Sequence, residues 1–538
     1  MTNLTQVVLL LLAAMVGLTI VANRIGVPEP LILVPAGVIL GFIPWFPQIE
    51  RDPELVLLVF LPPLVYIGGA ATSWQAFQKN IGPIFHLSFG LVLFTMSLVA
   101  AAAHYIIPGL SWPVAFVLGF IVAPTDDVAA ANIVRRFPIP HRIVSLLEGE
   151  GLMNDATALT AFKFASVAVI LGSFSIKSAS LTFFGIIFGE IGYGILLGWI
   201  LAKFRQRIED PSLGVTIALL TPYLAYLPPE RMGGSGVLAT AAVGLYIGSR
   251  RSSLFTSAIR LTGESVFQTL IFILNNFLFL VTGLQLKTVL GRTPNLPVSN
   301  LLFYGTLISV IVIISRMVWI YSIAIIPRAL SEHIRNRDPM PPLRHLFIFS
   351  WTGIRGSISL AAALGIPVAS QIGSPFPSRD LVIFITFCVI LSTLVVQGIS
   401  LPPLIRWLRV DHDGLRERRG AHFEESRARL EAAKTVLAQI EIWTKEGNLP
   451  FETVHHLRDR YEKKIRRLDR HQDEKSDDEF AHLSRKETAV QLQALTTERS
   501  KILALHDEKL ISDQVLRLIV FDLDLQEMRL NREHGNHS

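Results

Sequence analysis

Cysteine is nearly absent from this chain, with one in 538 residues. Cys388, inside the apolar run "LVIFITFCVILSTLVV", has no partner for an intrachain disulfide and reads as a small core hydrophobe. Charge is scarce as well: Asp, Glu, Lys and Arg make up 17% of the chain, against roughly 25% in soluble domains. A net charge of +6 is modest for this length and speaks against nucleic acid as the main partner. The opening "MTNLTQ" has no basic stretch before the first apolar run, so that run is expected to be a membrane span rather than a cleaved leader.

Hydrophobic residues, by contrast, make up 51% of the chain, and the charges are unevenly placed. Long apolar runs dominate residues 1–408, the candidate membrane domain, whereas 409–538 is crowded with Arg, Lys, Glu and Asp and reads as a soluble, mainly helical tail. A membrane helix needs about 20 mostly apolar residues. About thirteen such spans are expected, near 6–23, 31–47, 54–72, 82–107, 112–134, 146–172, 180–202, 212–227, 233–248, 265–286, 300–325, 344–367 and 380–405. With the N-terminus outside, the inner connections collect about fifteen Lys and Arg and the outer ones about six, the bias expected of cytoplasmic loops. The tail then lies in the cytoplasm. The expected architecture is an all-α polytopic membrane protein.

Three apolar stretches contain charges that lipid does not tolerate unassisted. "LEGEGLMNDATALTAFKFASVAVILG" holds Glu148, Glu150, Asn154 and Asp155. Glu148 is near the end of its span and is either solvated or functional; Glu150 and Asp155 lie deeper. Asp155 is four residues beyond Gly151 on one helix face, where a missing side chain leaves room for a water or an ion. The structural alternative for Asp155 is an interhelical hydrogen bond. "FVLGFIVAPTDDVAAANIV" places Pro124 before Thr125, Asp126 and Asp127, so a helix interruption is expected there; an ordinary helix cap is the alternative. Broken helices at membrane depth occur inside protein or beside water, where their freed ends hold ions. "HLFIFSWTGIRGSISLAAALGIPV" sets Arg355 among Gly353, Gly356 and Ser357, and a buried guanidinium requires a carboxylate. Spans five and twelve would thus be a pair of interrupted helices in corresponding halves, crossing near the centre of the protein. Asn275 and Asn276 are read as interhelical hydrogen-bonding groups.

"GEGLMNDATAL", "PTDDVAA", "GIRGSISLAAAL", "SGVLATAAVGLYIGSR", "FLFLVTGLQL", "FLPPL" and "VVQGISLPPLIRWL" together resemble monovalent cation/proton antiporters of the NhaP and sodium/hydrogen-exchanger type. The resemblance covers essentially all of 1–408. It implies inverted repeats, a homodimer in the cell (inner) membrane, a mobile core domain, and no cofactor beyond transported Na⁺ or K⁺ and H⁺. It assigns the transport aspartate to Asp155 and its neighbour to Asn154. Thr125 and Asp126 become the ion-site pair of the broken helix, with Asp127 an added acid, and Glu150 with Arg355 a structural ion pair. The Asn-Asp order is similar to the branch that exchanges one cation for one proton. Three positions depart from the family pattern: Gly151 replaces a serine, Ile67 an acid, and Asp127 a proline.

The implied activity is therefore transport rather than enzymatic catalysis, with Na⁺ or Li⁺ exchanged for H⁺ and K⁺/H⁺ exchange as the alternative. An intramembrane aspartyl protease would also use two acids on adjacent spans, but "GEGLMND" lacks the expected Gly-x-Gly-Asp spacing. A passive cation channel is the other alternative. In the tail, Leu430, Ala433, Leu437 and Ile440 recur at helical spacing, so an amphipathic helix is expected there.

Overall fold

The structure is a computed structural model that describes residues 2–43, 53–171, 176–291, 297–366, 376–446, 451–470, 477–508 and 513–535. All regular elements among the described residues are helical. The chain runs through α1 (Thr2–Ile25), α2 (Pro30–Phe42), α3 (Pro53–Ala71) and α4 (Ile81–Ile106). Next come α5 (Trp112–Val122), α6 (Asp127–Val134), α7 (His141–Leu171), α8 (Ile176–Arg205), α9 (Pro211–Arg231) and α10 (Val237–Ser249). The later part holds α11 (Ser257–Gly291), α12 (Val298–Leu330), α13 (Leu343–Trp351), α14 (Ser357–Leu364) and α15 (Arg379–Trp407). Four further helices follow: α16 (Val410–Glu446), α17 (Phe451–Arg470), α18 (Asp477–Asp507) and α19 (Asp513–Gly535).

Among the described residues six helical stretches are long and apolar enough to cross a bilayer: Gln6–Ile25, Thr182–Arg205 and the whole of α4, α11, α12 and α15. Shorter apolar helices accompany them at α2, Leu58–Ala71, α5 and α10. Phe188, Leu196 and Trp199 leave large apolar surfaces of α8 exposed, as a lipid-facing helix does. Helix contacts inside the bundle are close where side chains vanish. A Cβ on Gly37 of α2 would strike the Leu280 carbonyl of α11, and one on Gly283 would strike the Val34 carbonyl. Small residues at such positions let backbones meet and supply the packing that lipid-embedded helices depend on.

Two of the expected spans are interrupted. The 112–134 segment divides at Ala123–Asp126 into α5 and α6, and 344–367 divides at Thr352–Gly356 into α13 and α14. The 123–126 interruption contains Pro124, which supplies no backbone donor to the helix. Two π-helical turns, His86–Leu91 in α4 and Thr393–Gln397 in α15, widen the backbone locally.

Contacts divide the chain into Met1–Leu415 and Arg416–Ser538. Within the second unit, Arg499 of α18 donates to Asp524 and Glu527 of α19, both at 2.6 Å, while Leu495 and Leu523 are buried. On α16 the expected face is present: Leu430, Ala433 and Ile440 are buried and Leu437 is half-buried.

Candidate functional site

The two interruptions meet. The Asp126 backbone N–H donates to the Ile354 carbonyl at 2.8 Å, joining one break to the other. Around this bond the helix ends supply four partial charges. The C-terminal ends of α5 and α13 present carbonyl oxygens, and the N-terminal ends of α6 and α14 present N–H groups, each end equivalent to roughly half a charge.

Arg355, fully buried, answers the carbonyls. Its Nε donates to Val122 O at 3.1 Å, its Nη2 to Ala123 O at 3.2 Å, and its Nη1 to Gly353 O. The Arg355 backbone N–H donates in turn to Thr393 Oγ1 at 3.0 Å, which ties the break to the π turn of α15. Asp126 answers the N–H groups. Its Oδ1 accepts from Ala129 N at 2.9 Å, capping α6. The same carboxylate lies against Gly356 at the start of α14, where a Cβ would occupy the carboxylate's own space. Asp126 is therefore both a helix cap and a member of the buried break, so the two readings open at the sequence level coexist.

The continuous helix α7 passes beside this break and brings its own polar group. Thr125 donates its hydroxyl hydrogen to Glu150 Oε1 at 3.0 Å and accepts from Asn154 Nδ2 at 2.9 Å. Asn154 Nδ2 also approaches the Thr125 carbonyl at 3.3 Å. Because the only hydroxyl hydrogen of Thr125 is spent on Glu150, the Asn154 amide must point its NH₂ at Thr125. Its Oδ1 is thereby turned away, buried and without a hydrogen-bond partner among the described residues. A buried acceptor in that state costs free energy unless something occupies it. Asp155, the next residue, is 6% exposed and engaged in interactions of its own.

Glu150 is 1% exposed, and its guanidinium partner is Arg316 of α12. Arg316 Nη2 donates to Glu150 Oε2 at 2.9 Å and Nη1 to Oε1, a two-pronged pair inside the bundle. The expected pairing of Glu150 with Arg355 is thus corrected: Arg355 is occupied by backbone carbonyls, and Arg316 takes the carboxylate. Gly353 lets the two guanidiniums approach, since a Cβ there would strike the side chains of both. Sequence reasoning missed Arg316, although an arginine in "IVIISRMVWIYS" is the same kind of signal as Arg355. It also missed Ser88, whose hydroxyl donates to the Glu150 carbonyl at 3.3 Å from the π turn of α4.

The remaining candidates separate from this group. Glu148 pairs with Arg135 at 2.8 Å, a surface-type contact that fits the solvated reading. Asp127 opens α6, and its side chain lies outside the described residues. Asn275 and Asn276 of α11 are buried, 6% and 2% exposed. No group of three or more His, Cys, Asp or Glu side chains suited to a resident metal occurs among the described residues.

Comparisons with known proteins converge on one group. A family model described as "Sodium/hydrogen exchanger, transmembrane" matches residues 10–407. An uncharacterised Na⁺/H⁺ exchanger of Mycobacterium bovis is 31% identical over 531 residues, 97% of this chain and 96% of the relative. A sodium, potassium, lithium and rubidium/H⁺ antiporter of Bacillus pumilus is 33% identical over 407 residues, 73% of this chain and 60% of the relative. The solved sodium proton antiporter MjNhaP1 of Methanocaldococcus jannaschii at pH 8 has a similar fold, with a TM-score of 0.57 and 20% identity over 73% of this chain and 99% of that one.

Proposed function

Since the chain belongs to the sodium/hydrogen exchanger family, we propose that it exchanges a monovalent cation, Na⁺ or Li⁺, for H⁺ across the inner membrane, with both passengers competing for Asp155. The observation that carries this reading is the unsatisfied Asn154 Oδ1 beside Asp155. A hard monovalent cation is held by oxygen ligands, and an amide oxygen next to a carboxylate supplies two of them. Thr125, Asp126 and Asp127 complete the proposed ion-site group, with Thr125 orienting the Asn154 amide.

Charge supports a one-for-one exchange. Glu150 and Arg316 cancel one another. Arg355 is opposed by the two C-terminal helix ends and Asp126 by the two N-terminal ends, each pair of ends worth roughly one charge. Asp155 is then the residue at which a single cation or a single proton is held, one excluding the other. One site that holds either passenger couples the fluxes without a separate proton path, and each half-cycle carries the same charge. The cycle is therefore electroneutral. The working unit is a homodimer whose α7 and interrupted helices form a mobile core, with the N-terminus outside and the tail in the cytoplasm. K⁺/H⁺ exchange is the second reading, favoured by the names of the Bacillus relatives, which include potassium.

The test is a pH-dye measurement in proteoliposomes, with sodium, lithium and potassium added stepwise and with voltage imposed or clamped. Asp155→Asn should abolish cation-driven proton movement while leaving the thermal midpoint of the purified protein within a few degrees of the parent. Undiminished exchange by that variant overturns the assignment of Asp155. A rate that follows the imposed voltage overturns electroneutrality.

A further inference from the structure

A second polar group lies farther along α7, away from the ion site. Lys163, eight residues beyond Asp155, donates from Nζ to the Gly234 carbonyl at 2.6 Å and stands 3.8 Å from Glu230. Gly234 belongs to the turn between α9 and α10, and Glu230 to the last turn of α9. An ammonium group on a membrane helix is costly unless it has such partners.

The turn is built to hold still. Glu190 of α8, 4% exposed, accepts from Ser235 N at 2.6 Å, Gly236 N at 3.1 Å and Leu238 N at 3.2 Å. Ser235 Oγ adds a further donor at 3.2 Å. This carboxylate caps the start of α10 and fixes the peptides on either side of it. Gly233 and Gly236 have φ of +91° and +69°, left-handed values that the turn requires, and a Cβ on Gly234 would strike Glu190. Tyr226 donates its hydroxyl to Glu230 Oε1 at 3.2 Å, steadying the second partner of Lys163.

Packing differs on the two sides of α10. Toward α3 it is backbone against backbone: Cβ atoms on Gly244 and Gly248 would strike the Tyr66 and Ala70 carbonyls. Toward α8 it is similar, with Gly194 against the Ala239 carbonyl. Toward α7 apolar side chains pack together: Leu159 lies against the cluster that holds Val237 and Leu238, and Leu152 shares a second cluster with Ala241. Smooth side-chain contact between helices slides at low cost, whereas interlocked backbones do not. α7 therefore meets the α3–α8–α10 block along a seam, and Lys163 bridges that seam in the half of α7 farther from Arg142.

We propose that Lys163 and the Gly234–Glu230 turn form a releasable clasp that holds α7 against the α3–α8–α10 block in one of the two access states and opens when the helix carries its site to the other side. The proposal rests on the antiport reading above. By the positive-inside bias the clasp lies in the outer half of α7. Its bond is specific enough to favour one state and, being partly exposed, weak enough to break in every cycle.

Cysteines placed at Lys163 and Glu230, in a Cys388→Ser background, are to be joined with a flexible, reducible thiol-to-thiol reagent in proteoliposomes. Bridging should lower sodium-driven proton exchange at least twentyfold, and reduction should restore it. Separately, Lys163→Met should remain an exchanger but change the ratio of apparent sodium affinities measured on the two membrane faces by about fivefold, while Lys163→Arg keeps the parental ratio. A bridged protein that exchanges at the unbridged rate, or an unchanged affinity ratio in Lys163→Met, overturns the clasp. The Cys388→Ser parent reports on the underlying reading: no exchange there overturns antiport and the clasp with it. Exchange in the parent with undiminished exchange in the bridged pair overturns the clasp alone.

Discussion

Removing Arg316 tests which guanidinium neutralises Glu150. In Arg316→Met the carboxylate stays 1% exposed, with the Thr125 hydroxyl as its remaining side-chain donor at 3.0 Å. Stranding one member of a buried ion pair costs about 3–5 kcal/mol, a large part of a total stability of about 5–15 kcal/mol. Glu150→Gln keeps the shape and removes the charge, so the double variant Arg316→Met/Glu150→Gln should recover part of that loss. A coupling of about 2 kcal/mol is expected, inside the 0.5–3 kcal/mol span of contacting groups. Arg355→Met makes the control, because its guanidinium serves the carbonyls of Val122, Ala123 and Gly353 and no carboxylate. Its coupling to Glu150→Gln should be less than half as large. Denaturant or thermal unfolding in nanodiscs, followed by tryptophan fluorescence, measures all five variants of the two cycles and the parent on one scale. If Glu150→Gln couples as strongly to Arg355→Met as to Arg316→Met, the assignment of partners is wrong.

Gly356→Ala should impair exchange at least tenfold and cost about 1–3 kcal/mol of stability, because its methyl group would occupy the Asp126 carboxylate position; flux and unfolding assays report both. Gly283→Val should destabilise by about 1–3 kcal/mol through the Val34 carbonyl, with a lowered thermal midpoint and no change in apparent cation affinity in the surviving protein. Asp338, in the connection after α12, is held below the ordinary carboxylate range chiefly by hydrogen bonds from Arg142, assisted by the charges of Arg142 and Arg328. Its folded-state pKa is depressed, so its stabilising contribution is complete above the ordinary aspartate value and is lost as pH falls through the lower folded value. The thermal midpoint of the parent minus that of Asp338→Asn should therefore be flat from pH 5 to 8 and shrink toward pH 3; a gap that widens on acidification contradicts the sign.

Most of the fold was legible because lipid permits so few alternatives. Runs of about 20 apolar residues become helices, and both interruptions sit where Pro124 and the Gly353/Gly356 pair foretold them. Glu150 and Asn154, one turn apart on α7, both meet Thr125 in the break, a grouping that the spacing of the sequence had not suggested. The partner of Arg355 was not legible. Reading the sequence, we sought a full negative charge for that guanidinium and overlooked that broken helices manufacture negative ends. Nor could periodicity reveal that α12 would deliver Arg316 to Glu150 from 166 positions away. Short-range pattern fixes which groups must be neutralised, but helix rotation and bundle topology choose which groups do it.

The sharing of charges gives a physical reason for two arginines where one would balance Glu150. A helix broken in mid-membrane gains usable backbone groups but leaves its ends uncompensated in a medium that cannot solvate them. Arg355 and Asp126 pin those ends from opposite sides of the breaks, and the Asp126 N–H bond to Ile354 locks the two breaks together. With that framework neutral in itself, a charge added or removed at the proposed ion site, Asp155, would not be absorbed by rearranging the framework. Had Arg355 paired with Glu150 instead, the carbonyls of Val122 and Ala123 would lie free to bind a cation on their own. A second, proton-independent cation site would then uncouple the two fluxes. Under the proposed exchange, holding those carbonyls with a permanent guanidinium would serve coupling as much as stability, with the oxygens of Asn154 and Asp155 as the proposed place where a passenger is chosen.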